Sequence, residues 1–122
     1  KLPKLRKLFD WDENTKVYNA FLIATYLWKD RGLKTTQIRK FLDKFKTIRN
    51  KCKLNPENFD KNEVIAIRPI LAYSAGRNMS QVLPLVKVLD PLILKIEKYD
   101  DFIEFYEFLE SIVAFHKFLG GD

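Results

Sequence analysis

The stretch TTQIRKFLDKFKTIRNKCK, Thr35 to Lys53, reads as one amphipathic helix with two differently built faces. Ile38, Phe41, Leu42, Phe45, Ile48 and Cys52 recur at steps of three and four, the stripe that a helix buries against a bundle. The remaining surface is cationic. Arg39, Lys46 and Lys53 lie seven residues apart, drift only about 20° per step, and so form a ladder along one edge of the stripe. Seven residues rise about 10.5 Å, a spacing suited to a repeating anion such as a nucleic-acid backbone. Arg49 falls near the apolar side of this ladder, where a purely solubilising charge is not needed. Lys40, Lys44 and Lys51 occupy the opposite flank and read as solubility charges.

Helical periodicity with plausible caps recurs outward from this segment, and no strand-period run exceeds a few residues. A first helix is predicted from about Thr15 to Asp30, with Val17, Phe21, Leu22, Thr25 and Trp28 on one side and Gly32 ending it. Thr35 or Thr36 is expected to cap the cationic helix, and Leu54-Asn55-Pro56 closes it. A third helical region spans Lys61 to Ala75, interrupted at Arg68-Pro69 because proline lacks the amide a helix needs, and Gly76 stops it. Ser80 is expected to cap a fourth helix running to Leu89, with Asp90-Pro91 as its break. The last helix begins near Asp100 or Asp101 and ends at Leu119, with Phe102, Phe105, Tyr106, Leu109, Ile112, Val113 and His116 on one side. It is apolar around so much of its circumference that it is either central or covered by another chain. The expectation is all-α: a single-domain bundle of about five helices over residues 1–122, with residues 1–10 read as a flexible basic arm.

Composition narrows the function. The 122 residues are 47% hydrophobic and 31% charged, which fits neither a disordered chain nor a membrane protein. The formal net charge of +6 is unevenly spread, with 15 Lys and Arg against 5 Asp and Glu in residues 1–53, and 7 against 11 in residues 54–122. Such a dipolar chain can offer its basic half to a polyanion and its acidic half elsewhere, including to a neighbouring copy. Cys52 is the only cysteine, so no internal disulfide can form, and a reducing cytoplasmic setting is expected. The longest nearly apolar run, Ala20 to Trp28, is too short to span a bilayer, and nothing reads as an export signal.

Catalytic chemistry is poorly supplied. One His, one Cys, no glycine-rich phosphate loop and no metal-ligand spacing argue against an enzyme, a bound cofactor or a small-molecule substrate. His116 paired with Cys52, or with Glu107 or Glu110 in a small nuclease, is the thin alternative. His116 reads more simply as a core or helix-end residue, and Cys52 as a small buried apolar one.

Three segments in order, GLKTTQIRKFLDKF (Gly32–Phe45), RPILAYSAGR (Arg68–Arg77) and SIVAFHKFLGG (Ser111–Gly121), closely resemble the small helical subunit of type III-A CRISPR effector complexes, the Csm small subunit. Where the family pattern runs Leu-Thr-Thr-Ser-Gln-Ile-Arg, this chain has Leu33-Lys34-Thr35-Thr36-Gln37-Ile38-Arg39; Ser74 stands where Ala is commoner and Phe115 where Tyr is usual. The resemblance implies a non-catalytic RNA-binding scaffold that stacks in several copies beside the backbone subunits and contacts the target RNA as it pairs with the guide crRNA. In this family target cleavage is assigned to the backbone subunit, and the DNase and cyclic-oligoadenylate activities to the large one.

The residues read independently agree, since a subunit that accepts any target should touch phosphates and sugars rather than base edges. Arg39, Lys46, Arg49 and Lys53, joined by Arg68 and Arg77, are the candidate RNA contacts, Arg39 and Arg77 lying in the family segments. Arg49 and Arg68 carry an alternative, as buried partners of acidic residues on the last helix. Tyr73, Phe115, Trp28 and Trp11 could stack bases, with core packing the simpler expectation. The rival function is a helical protein–protein adaptor whose interface is the aromatic last helix.

Overall fold

The computed structural model describes residues 5–121, and among these the chain is all-α with no strand. A 3-10 segment, Leu5–Asp10, precedes α1 (Glu13–Lys29) and α2 (Thr35–Cys52). A short 3-10 turn, Pro56–Asn58, then leads into α3 (Lys61–Ile65), α4 (Arg68–Arg77), α5 (Met79–Ile93) and α6 (Tyr99–Phe118). The first residues of the expected basic arm, 1–4, lie outside the described residues; within Leu5–Asp10, Leu8 is fully buried in the core.

The last helix is central. All seven residues read onto one side of it are buried, and so is Phe108 on the other, because α1 packs along one flank of α6 and α2 along another. Phe45 of α2 meets Phe105 edge-on with ring centroids 5.0 Å apart. In α2 the stripe Ile38, Phe41, Phe45, Ile48 and Cys52 is buried as periodicity requires, with Leu42 half-buried beside it. Buried residues from all of these helices join in a single core, so residues 5–121 form one domain.

The buried face of α1 is a correction. Ala20, Ile23, Ala24 and Leu27 turn inward with Lys16 and Asn19, while Val17, Phe21, Leu22 and Thr25 are only half-buried and Trp28 is exposed. Small side chains at Ala20 and Ala24 suit a close helix contact, and the residues that periodicity alone favours lie at its margin, where Phe21 meets Phe115 of α6 edge-on with ring centroids 5.4 Å apart.

Helix ends also differ in instructive ways. Asp12 caps α1 by accepting from the Thr15 N–H at 2.8 Å, a bond that lowers the Asp12 pKa. The residue before α2 is Lys34, whose N–H donates to Gln37 Oε1 at 2.9 Å; Thr35 lies inside the helix and is buried. The Arg68-Pro69 break is real, with proline in the first turn of α4, where a missing amide costs least. Gly76 sits within α4, which ends at Arg77. Asn78, not Ser80, precedes α5, and α5 runs through Pro91 to Ile93 because buried Leu89, Leu92 and Ile93 hold its last turn on the core. Pro84 cannot donate to the Ser80 carbonyl one turn back, and that oxygen instead accepts from Arg31 Nε at 3.0 Å.

His116 ties two ends together. Its ring is fully buried, Thr35 Oγ1 lies 2.8 Å from its Nδ1, and the Gly121 N–H donates to its carbonyl at 2.9 Å. Gly121 packs so tightly on the imidazole that a Cβ there would overlap the ring. Burial pushes the His116 pKa below its ordinary 6.5, outweighing the nearby Leu33 backbone, which favours the proton. An imidazole with a depressed folded pKa is protonated sooner in the unfolded chain, so its contribution is complete above about pH 6.5 and is lost as pH falls from there through the folded pKa. Urea unfolding is expected to show stability dropping between pH 7.5 and 5.5, and His116→Asn to flatten that drop; an unchanged slope in the variant refutes the assignment.

Candidate nucleic-acid interface

Five basic side chains of α2, Arg39, Lys40, Lys44, Lys46 and Lys51, are exposed, as is Lys53 just after it, but the tertiary packing places them in different company. On one flank, α4 and the start of α5 lie alongside α2 and leave a groove of about 860 Å³. Lys40 and Lys44 stand on its α2 wall and Arg77 on its α4 wall, with Gln37, Thr47 and Ser74 as neutral polar groups between them. Phe41, Ile70 and Val82 supply the apolar part of the lining, and Asp43 is its single carboxylate. Among the described residues no carboxylate forms an ion pair with Lys40, Lys44 or Arg77. These cations therefore keep their charge available, in a concave surface that focuses the field they make. Lys51, on the same flank, is already paired with Glu63 at 2.6 Å.

The opposite flank of α2 faces the acidic edge of α6. Arg49 and Lys53 share a cleft there with Asp100, Asp101, Glu104, Glu107 and Glu110. The Arg49 guanidinium sits over the Tyr106 ring, 5.3 Å from its centroid. Burial holds the Tyr106 phenol above its usual range and Glu110 adds to this, while Arg49 pulls the other way. Beside this edge, Lys16 is almost fully buried, its ammonium 2.8 Å from Glu104, 3.2 Å from Glu13 and 3.6 Å from Glu107. Burial disfavours that charge, but the hydrogen bonds and charges of Glu104 and Glu13 outweigh it and raise the Lys16 pKa.

The six candidate contacts thus do not share one surface. Arg77 lines the groove; Arg39 and Lys46 are exposed on α2; Arg49 and Lys53 flank the acidic edge. Arg68 is held bidentately by Asp90 of α5, at 2.6 and 3.0 Å, and that carboxylate raises its pKa. Its acidic partner is on α5 rather than on the last helix. Lys40 and Lys44, which the sequence presents as solubility charges, line the groove. Their spacing of four residues on the edge next to Gln37 and Phe41 is visible in the sequence, but nothing local indicates that Arg77 shares a groove with them.

Of the possible stacking platforms, Trp11 and Phe115 are half-buried against the core, Trp28 is 37% exposed and Tyr73 is 67% exposed. Among the described residues no His, Cys, Asp and Glu cluster could hold a metal ion, and no helix is long and apolar enough to cross a membrane.

The family model described as Csm2 Type III-A matches residues 12–122. This chain belongs to the Csm2 Type III-A family. It is accordingly a small subunit of a type III-A CRISPR complex, in which it has other Csm subunits as neighbours. No curated protein and no solved structure gives a significant match. The three segments first matched to the Csm small subunit now have places in the fold. The first forms the start of α2, the second is the whole of α4, and the third is the C-terminal half of α6 with the glycines after it. The first and third meet in the buried Thr35–His116 hydrogen bond, so in this Csm2 chain they hold the bundle together, whereas the second presents Arg77 to the groove.

Proposed function

We propose that this Csm2 chain is a non-catalytic, RNA-binding structural subunit of a cytoplasmic type III-A CRISPR complex. It contacts the backbone of the target RNA and guide crRNA, and stacks in several copies along them. The observation that carries this reading is the groove lined by Lys40, Lys44 and Arg77, none of them in an ion pair with a carboxylate among the described residues. Arg39 and Lys46 extend the positive surface along the exposed side of α2. Ammonium and guanidinium groups bind phosphates without reading bases, which suits a protein that must accept any target sequence. Arg49 and Arg68 serve the fold in this reading, through Tyr106 and Asp90.

The non-catalytic part is supported by His116, the one histidine, which is buried beneath Gly121 and cannot reach a phosphodiester. Contact with protein neighbours is supported by the aromatics left on the surface, Tyr18, Trp28 and Phe118, each of which would gain by being covered.

The test is the salt dependence of single-stranded RNA binding by the full chain. Log affinity should fall linearly with log salt at about −0.7 per phosphate neutralised, so three groove cations give a slope near −2 from the groove alone. Binding that is absent at low salt, or insensitive to salt, sinks the RNA reading and leaves the helical adaptor.

A further inference from the structure

Ile70, Tyr73 and Arg77 follow one another at steps of three and four along α4, and so share one strip of that helix. Ile70 and Arg77 belong to the groove, and Tyr73 stands between them on the solvent side, 67% exposed. Met79, just beyond, is 59% exposed. Nothing in the packing of the bundle calls for a tyrosine here. The Arg77 guanidinium lies 5.9 Å from its centroid, where the two attract weakly as cation and π-face. An aromatic face thus stands beside a cation at the rim of a basic groove. These two groups complement what a nucleotide offers, a flat π-surface and a phosphate one sugar away.

We propose that Tyr73 is a stacking platform for one unpaired ribonucleotide base, with Arg77 taking the adjoining phosphate. This rests on the RNA reading above and adds the ligand's local state. A base paired and stacked within a duplex has no face to offer, so the platform selects a single-stranded or extruded position. Because every base has a π-face, the contact remains indifferent to sequence. It therefore does not conflict with a backbone-binding groove.

The experiment measures binding of the full chain to a short single-stranded RNA and to an abasic ribose-phosphate strand of equal length, at one salt concentration and across a salt series. Tyr73→Ala is expected to weaken binding of the base-bearing strand by roughly five- to a hundredfold, leaving the abasic strand and the salt slope unchanged. Tyr73→Phe, which keeps the ring and loses only the hydroxyl, should bind like the original chain. Equal behaviour of Tyr73→Ala on the two strands, or a loss in Tyr73→Phe as large as in Tyr73→Ala, overturns the platform while the salt slope keeps the groove. If the unsubstituted chain binds neither strand, the RNA reading falls and the platform with it. The exposure of Tyr73 makes both variants foldable, which an unchanged melting temperature will verify.

Discussion

Phe105→Ala lowers the free energy of unfolding by about 3–5 kcal/mol, the usual cost of emptying a buried phenylalanine site. Phe105 lies in the middle of α6 with no exposed surface, and its ring meets Phe45 of α2 edge-on. The truncation removes that aromatic pair as well as the transfer energy of the ring. The helices around it belong to one core, so the void cannot close without moving α2 or α6. Against a typical domain stability of about 5–15 kcal/mol, such a loss brings the chain near its unfolding threshold. Phe118→Ala is the control: Phe118 is on the same helix but 81% exposed, and its loss should change stability by no more than about 0.5 kcal/mol. Urea unfolding of the two variants reads the difference. Similar midpoints would mean that α6 is not the central helix.

The second large effect separates the two sides of α2. Lys40→Glu, Lys44→Glu and Arg77→Glu together should reduce RNA affinity by about 100-fold or more at low salt, because three phosphate contacts are replaced by three repulsions. Arg39→Glu, Lys46→Glu and Lys53→Glu together change net charge by the same amount and should cost less. Lys53 already shares a cleft with the acidic edge of α6, and neither Arg39 nor Lys46 lines the groove. The equal charge change makes the comparison fair, since a purely long-range effect predicts equal losses. A greater loss from the ladder set would move the RNA path onto the exposed edge of α2 and leave the groove for a protein neighbour.

Much of the bundle was legible because its signals are local. The buried stripe of α2, the inward side of α6 and the break at Arg68-Pro69 each follow from side-chain spacing or a missing amide within one segment. The errors came where two local readings competed. In α1 both sides are apolar, and spacing alone does not say that the side with Ala20, Ile23, Ala24 and Leu27 is the one buried. At Pro91 the breaking tendency is real, but burial of Leu89, Leu92 and Ile93 overrides it. Thr35 looked like a cap because a hydroxyl before an apolar run usually is one; its partner is His116, far away in the chain.

The amino-acid order alone settles that this is an all-α chain with a basic first half, and its three characteristic segments suffice to indicate the Csm2 family, because periodicity, charge and short motifs are properties of neighbouring residues. It also puts Arg39, Lys46 and Lys53 on one edge of one helix. What it could not supply is which cations from different helices face each other. Arg77 shares a groove with Lys40 and Lys44 only because α4 and the start of α5 come beside α2 in the fold, while Asp90 engages Arg68 and the Tyr106 ring engages Arg49. A binding surface depends on distances through space, and those exist only once the helices have chosen which faces to bury.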